Sequence, residues 1–416
     1  MKASLRASII FLTTGLGLVS SCGSGGGGGG SVNPGSRTPP GGPLPGLTVD
    51  ERAAFDRGRV QFLRRFKPSE GLGPFYNAVS CESCHSEPAV GGSAQMYRNF
   101  YLAMWHNGTT NVALPGLPSA VVPTFGATDT FTLVGGRMVI PPEVNGTPTI
   151  VAQRNALPLF GTGLFEFVSD LTILTHADPD DLDGDGISGR FNTDNGAIGR
   201  LGVKAQSNNV ELFTRAPLRN QLGITTDPFL GSDGIVSLGM LAQVSTDPNA
   251  PTTDNDGIPD PEFARDDLGD LIAFSRFLAP PAPITPFSAA ATRGETQFDA
   301  IGCTKCHVPE LATSRFGPAR AFTDLLLHEM GDALADNLAL GRPQASTLSL
   351  PNTTKEFRTQ PLWGVSLSGP FLHDGRAETL REAIEAHGGE GTASRDAFLA
   401  LDADSQSDLI EFLEHL

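Results

Sequence analysis

The sequence is short of cations. Lys and Arg total 29 against 46 Asp and Glu, a net charge of −17, which excludes nucleic acid as a partner because nothing offsets the phosphate charge. It also lacks any apolar run of the roughly 18 residues that a membrane span needs, so an integral membrane protein is excluded. Nor is there a cysteine to spare: beyond Cys22, all of them (Cys81, Cys84, Cys303 and Cys306) lie in C-x-x-C-H motifs. What is plentiful is glycine (49) and proline (32), about a fifth of the chain. Average usage is ~12%, so the fold is expected to be rich in loops. The 416 residues are ample for a buried core and correspond to two to three domains.

Residues 1–21 read as a secretory signal: Lys2 and Arg6 precede an apolar run, 8–19, too short to span. The run ends in Val19-Ser20-Ser21-Cys22, which resembles the lipobox of bacterial lipoproteins, where the cysteine is acylated and opens the mature chain. Residues 22–49 contain glycine throughout 25–30 and then a Gly/Pro/Ser-rich stretch, a composition that cannot bury enough surface to fold and so predicts a flexible tether. The expectation is an exported lipoprotein anchored by lipid on the periplasmic face of a membrane. Gly23 rather than Asp after the cysteine points, by resemblance to lipoprotein sorting, to the outer membrane.

The two C-x-x-C-H motifs are CESCH at 81–85 and CTKCH at 303–307. Two thiols at this spacing add across the vinyl groups of a haem, and the following imidazole ligates the iron. A redox dithiol or half a zinc site also uses C-x-x-C, but neither calls for the histidine that follows in both copies. The reading is two covalent c-type haems, held by Cys81, Cys84 and His85 and by Cys303, Cys306 and His307.

The halves repeat. RGRVQF at 57–62 precedes the first motif and RGETQF at 293–298 the second, with four of six positions alike. Far downstream of each motif, DLIAFSRFL at 270–278 matches DLIEFLEHL at 408–416 at five of nine. Leu409, Phe412, Leu413 and Leu416 fall at i, i+3, i+4, i+7, one face of a helix. Helix, haem motif, closing helix is the order of a small cytochrome c domain. The expected organisation is mainly α: a first haem domain at 50–279, a Pro-rich linker at 280–287 and a second haem domain at 288–416. An insertion at about 87–264 enlarges the first domain and reads as loops with a few short strands.

Five segments carry a family resemblance: GLGPFYN at 71–77, DGDGISGR at 183–190, FTDLLLHEMG at 322–331, RTQPLWG at 358–364 and FLHDGR at 371–376. They resemble the bacterial di-haem cytochrome c peroxidase superfamily, which includes the maturation enzyme of methylamine dehydrogenase, and most closely its di-haem oxidoreductase branch. That branch is often labelled thiol oxidoreductases, although no cysteine here is left to exchange. The resemblance implies an oxidoreductase in which a soluble cytochrome or similar small redox protein donates electrons to the C-terminal haem. They would then pass to the N-terminal haem, where peroxide is reduced. Alternatively both haems are six-coordinate and the protein is a tethered electron carrier. The acidic surface would steer a basic donor.

By position in the family, the sixth ligand of the C-terminal haem falls on His387, where the peroxidases have Met and the maturation enzyme Tyr; Met330 is the alternative. Two imidazoles would stabilise ferric iron and lower the potential. For the first haem the family's general acid points to Glu166, an acid in an apolar segment, unless it pairs with Arg154 or Arg190. His106 and His176 are candidate sixth ligands there. Trp105 and Trp363 either lie between the haems or are core.

Asp181, Asp183 and Asp185 alternate before glycine like the opening of a calcium loop, with Asn192 where an EF-hand has Glu. A second acidic run spans 254–260. Both suit Ca²⁺ in an exported setting, and both could equally be Asx/Gly turns.

Overall fold

A computed structural model describes residues 40–416, apart from 109–110, 118, 127–132, 135–136, 195, 227, 231–235, 239–242, 245–255 and 350–352; for the strand residues 133–134, 137–138, 228–230, 236–238 and 243–244 it describes the backbone alone. Cys22, the signal, most of the tether and the start of the second acidic run, at Asp254, lie outside these residues.

Eight α-helices occur among the described residues: α1 (Val49–Leu63), α2 (Asp170–Leu174), α3 (Val210–Pro217), α4 (Arg265–Phe277), α5 (Ala289–Ala300), α6 (Leu380–Glu385), α7 (Thr392–Ala400) and α8 (Ala403–His415). Their starts are written locally. Thr48 and Glu51 form a capping box at α1, Thr379 and Glu382 another at α6, and Ser288 and Asp402 cap α5 and α8. None of these helices is long and apolar enough to cross a membrane.

The repeated segments build the same crossing twice. In the first half α1 lies on α4, and in the second α5 lies on α8. At each crossing a glycine faces a backbone carbonyl: a Cβ on Gly58 would sit 1.9 Å from the Asp270 oxygen, and one on Gly294 2.0 Å from the Asp408 oxygen. Beside each glycine an arginine makes a two-pronged pair with the facing aspartate, Arg57 with Asp270 and Arg293 with Asp408. The aromatic layer beneath repeats as well. Phe62 lies 4.8 Å from Phe274 and 6.3 Å from His85; Phe298 lies 5.4 Å from Phe412 and 6.1 Å from His307. Burial of Leu409, Phe412, Leu413 and Leu416 follows the helical period.

The two halves share a core. Leu311, Leu325, Leu326 and Trp363 of the second half join the cluster of Phe55, Phe62, Leu271 and Phe274. Buried ion pairs tie the insertion to the second half, Arg190 to Glu356 and both Arg154 and Lys204 to Asp336. Residues 40–48, expected as the end of the tether, are packed instead: the Leu44 amide donates to the Phe277 carbonyl and that of Ala279 to the Gly42 carbonyl.

"Mainly α" therefore describes the cores built by the two helix crossings and not the whole chain. The insertion carries an antiparallel four-stranded sheet in which Phe100–His106 pairs with Asn111–Ala113, Val121–Val122 and Ile150–Arg154, Phe100 standing opposite Arg154. A smaller ladder in the second half sets Leu327 opposite Arg358 and Glu329 opposite Glu356.

Candidate functional site

Both C-x-x-C-H motifs open on one cavity of about 940 Å³. Each motif is a tight helical turn, Cys81–Ser83 and Cys303–Lys305, and the His85 and His307 amides donate back to the carbonyls of Cys81 and Cys303. That turn brings the first cysteine and the histidine, four apart, to the same face. Burial pushes the Cys81 and Cys303 thiols up to about 12, so neither is the reactive thiolate of an exchange enzyme.

Three half-buried histidines facing the cavity are prepared as ligands in one way. Nδ1 of His85 lies 2.9 Å from the Gly92 carbonyl oxygen, Nδ1 of His307 2.9 Å from that of Phe322, and Nδ1 of His387 2.8 Å from that of Ala383. A carbonyl can only accept, so the proton sits on Nδ1 and Nε2 keeps its lone pair. Burial lowers all three pKa values, His307 to about 4, which keeps the rings neutral. His387 and His307 line the same cavity, near enough that a proton on one would disfavour a proton on the other. Met330 is there too, its Cε 3.5 Å from where a Cβ on Gly391 would lie, while the His387 Cβ is 3.1 Å from the same point.

The remaining sequence candidates are placed as follows. His106 and His176 are exposed and outside the cavity, so neither faces the first motif. Glu166 is not a free acid in a pocket: its carboxylate pairs with Arg276 of α4 at 2.5 Å and accepts the Val210 amide at 2.7 Å, and it does not line the cavity. It pairs with neither Arg154 nor Arg190 and instead pins α3 to α4. Trp363 lines the cavity and stacks on Phe165 at 5.3 Å, whereas Trp105 packs with the sheet of the insertion. In the acidic loop, oxygens of Asp178, Asp181 and Asp183 converge within 4.8 Å and could hold a divalent cation. Asp185 turns away to Lys305 at 3.1 Å, and Asn192 is buried, donating to the carbonyls of Lys204 and Leu340.

Three polar groups of the cavity carried no role in the sequence. Asp194 is half-buried, and burial raises its pKa. His373 stacks on Phe357 at 4.2 Å. His328 sits beside Cys306, with Nδ1 2.7 Å from Glu390 and Nε2 2.8 Å from Asp324. Both ring nitrogens face carboxylates, so both carry protons and the ring is a cation. Burial pushes its pKa down, but the Cys306 sulfur and Asp324 outweigh that, leaving it well above the usual histidine value. For Glu390 burial raises, but hydrogen bonds from His328 and Ser188 hold it low; Asp324 is lowered likewise, against burial, by His328.

A testable consequence concerns stability. The His328 contribution is complete below its unfolded pKa of about 6.5 and fades as pH rises through the higher folded value. The carboxylate contributions are complete above about 4 and fade as pH falls through their lowered values. The cluster's own contribution, read as the Tm difference between the unaltered protein and Glu390→Gln, should therefore plateau between about pH 4.5 and 6.5. Glu390→Gln should cost about 3–5 kcal/mol within that plateau, since it strands one side of a buried cation. An unchanged Tm at pH 5.5 would rule the pairing out.

Comparison with known proteins gives a family. The family model described as "Di-haem oxidoreductase, putative peroxidase" matches residues 146–416. No curated protein matches the sequence. Among solved structures, hydrazine synthase of Kuenenia stuttgartiensis aligns at 15% identity and TM-score 0.40, covering 97% of this chain and 100% of the other. A MauG-like protein associated with microbial copper homeostasis aligns at 17% identity and TM-score 0.39, covering 90% of this chain and 92% of the other.

Proposed function

The chain belongs to the di-haem oxidoreductase family, and from that premise we propose a c-type di-haem enzyme whose C-terminal haem accepts electrons and whose N-terminal haem reduces peroxide. Cys81, Cys84 and His85 would hold one haem and Cys303, Cys306 and His307 the other, with His387 as sixth ligand of the second. When bound, these groups supply one-electron redox chemistry and, at an open iron position, peroxide reduction. The residues fit such groups: the cavity is large, and each anchoring histidine keeps a bare Nε2 toward it.

The observation that carries the reading is an asymmetry between the two motifs. His387 and Met330 lie together at Gly391 on the cavity wall, within electrostatic reach of His307, whereas burial and backbone carbonyls alone shift His85. Among the other histidines, His106 and His176 are exposed, His415 ends α8 with its ring bonded to the Glu411 carbonyl, His373 is stacked, and His328 is ion-paired. Among the histidines, that pattern offers no second ligand to the first iron, which favours an open position there, with Met104 the other cavity-lining group to be tested. Reduction of peroxide to two waters takes two electrons, from a donor cytochrome, and two protons. Two carboxylates line the cavity, and their surroundings push them apart: Glu390 is held ionised by His328, while Asp194 is raised. Asp194 is thus the carboxyl suited to hold a proton there.

The surrounding biology extends the proposal: an exported lipoprotein anchored through Cys22, facing a basic donor protein across an acidic surface. The test of the core reading is low-temperature EPR on the holoprotein, fully oxidised and then reduced by one electron per molecule. We expect a high-spin ferric signal in the half-reduced sample that cyanide or peroxide removes. Low-spin signals alone in both samples would overturn peroxide reduction and leave a tethered electron carrier.

A further inference from the structure

The buried cations of this protein are generally matched with carboxylates: Arg190 with Glu356, Arg154 and Lys204 with Asp336, Arg215 with Glu211. Arg358 is different. It is 6% exposed and lines the cavity, yet its side chain bonds only to neutral oxygens. Nε donates to the Gly202 carbonyl at 2.9 Å and Nη2 to Oε1 of Gln360 at 2.7 Å, while Nη1 has no partner. Burial pushes its pKa down to about 10, and it remains a cation at neutral pH. A buried guanidinium without a counter-charge is costly, and the planar fork matches a carboxylate.

The position is firmly built. Arg358 is the last residue of a strand laid opposite Leu327, and its amide donates to the Val203 carbonyl at 2.8 Å. Phe165 lies under the guanidinium at 5.7 Å, itself stacked on Trp363. With Nε and Nη2 engaged, Nη1 is the donor left for the cavity.

We propose that Arg358 receives a haem propionate, as the protein's counter-charge for a carboxylate that arrives only with the cofactor. The inference rests on the two-haem reading. Either haem could bring the propionate, but Asp324, which is held against His328 beside Cys306, also raises Arg358 electrostatically, which favours the second haem. A cation at a propionate disfavours the ferric state, so its loss should lower the potential of that haem.

The experiment uses the full-length holoprotein with Arg358→Gln and Arg358→Lys. Haem content is measured first and tests the two-haem reading on its own: fewer than two haems in the unaltered protein would sink that reading and this inference with it, whereas the potentials below test the inference alone. Potentiometric titration followed optically and by EPR then reads each haem. With two haems retained, Arg358→Gln should lower one potential by about tenfold in the reduction equilibrium, or about 59 mV. Arg358→Lys, which keeps the charge but not the fork, should move the same haem by a smaller amount. The haem that moves identifies the source of the propionate. Unchanged potentials in Arg358→Gln would overturn the assignment, as would a Lys variant that falls as far as the Gln variant. If Arg358→Gln does not accumulate, Arg358→Lys decides, and no shift in either haem is the overturning result.

Discussion

His387→Met should raise the potential of one haem while leaving the other unchanged, and His387→Ala should convert that haem's ferric signal from low to high spin. The prediction follows from how His387 is held. It lies just past α6, whose capping box fixes the helix start, and its Nδ1 proton is committed to the Ala383 carbonyl one turn back. The ring is therefore pinned in orientation and tautomer before any metal arrives. Burial keeps it neutral, and it lines the same cavity as His307, so in the proposed function its free Nε2 would serve the iron that His307 holds. Axial ligands span roughly 0.8 V in haem proteins, and exchanging imidazole for thioether moves the potential upward within that range. We expect a shift on the order of 0.1 V or more, read by potentiometric titration. If His387→Ala stays low-spin with an unchanged potential, Met330 or another group is the ligand and the assignment fails. The double variant with Met330→Leu then tells which.

How much of this could be read in the sequence depends on the range of the interaction. The proposed haem anchors are local: two thiols and an imidazole within five residues can be recognised without knowing the fold. The paired helices were legible because each carries its periodicity within itself and because the chain states the pattern twice. Glu166 was misread for the opposite reason. Its partner Arg276 lies 110 residues away, and an apolar run around an acid looks the same whether it flanks a pocket or pins two helices. His328 stood in a quoted motif, FTDLLLHEMG, yet its second carboxylate is Glu390, 62 residues on, and only the fold brings them together. Arg358 also opened a quoted motif. Its significance lies in the absence of a carboxylate beside it, which no local pattern can express. The acidic loop was half legible: Asp181 and Asp183 converge, but Asp178 takes the third place while Asp185 answers Lys305.

Gly58→Ala and Gly294→Ala should each destabilise the protein severely, and Gly269→Ala should not. At both crossings the new methyl would meet a carbonyl oxygen of the facing helix at 1.9 or 2.0 Å, with the Cβ of Phe274 or Phe412 at 2.8 Å as well. These are main-chain atoms and a side-chain root, so no rotamer change relieves the clash; the helices must separate. Separation pulls apart the bidentate pairs to Asp270 and Asp408 and the phenylalanines that pack beside His85 and His307. Overpacking of this kind costs about 1–3 kcal/mol and sometimes more. Near 2–4 °C per kcal/mol for a domain of this size, each Tm should fall by about 6–12 °C at the upper end. Gly269 provides the control, because it lies in α4, the helix that Gly58 of α1 faces, but is exposed, with nothing within 4 Å of an added methyl. There the same substitution gains helix propensity and should stabilise by up to about 1 kcal/mol. The same chemical change thus has opposite signs on the two sides of one crossing: on α1 against the Asp270 carbonyl, and on α4 at the exposed residue before Asp270. Equal Tm changes in Gly58→Ala and Gly269→Ala would mean that the close crossing does not hold the haem domains together.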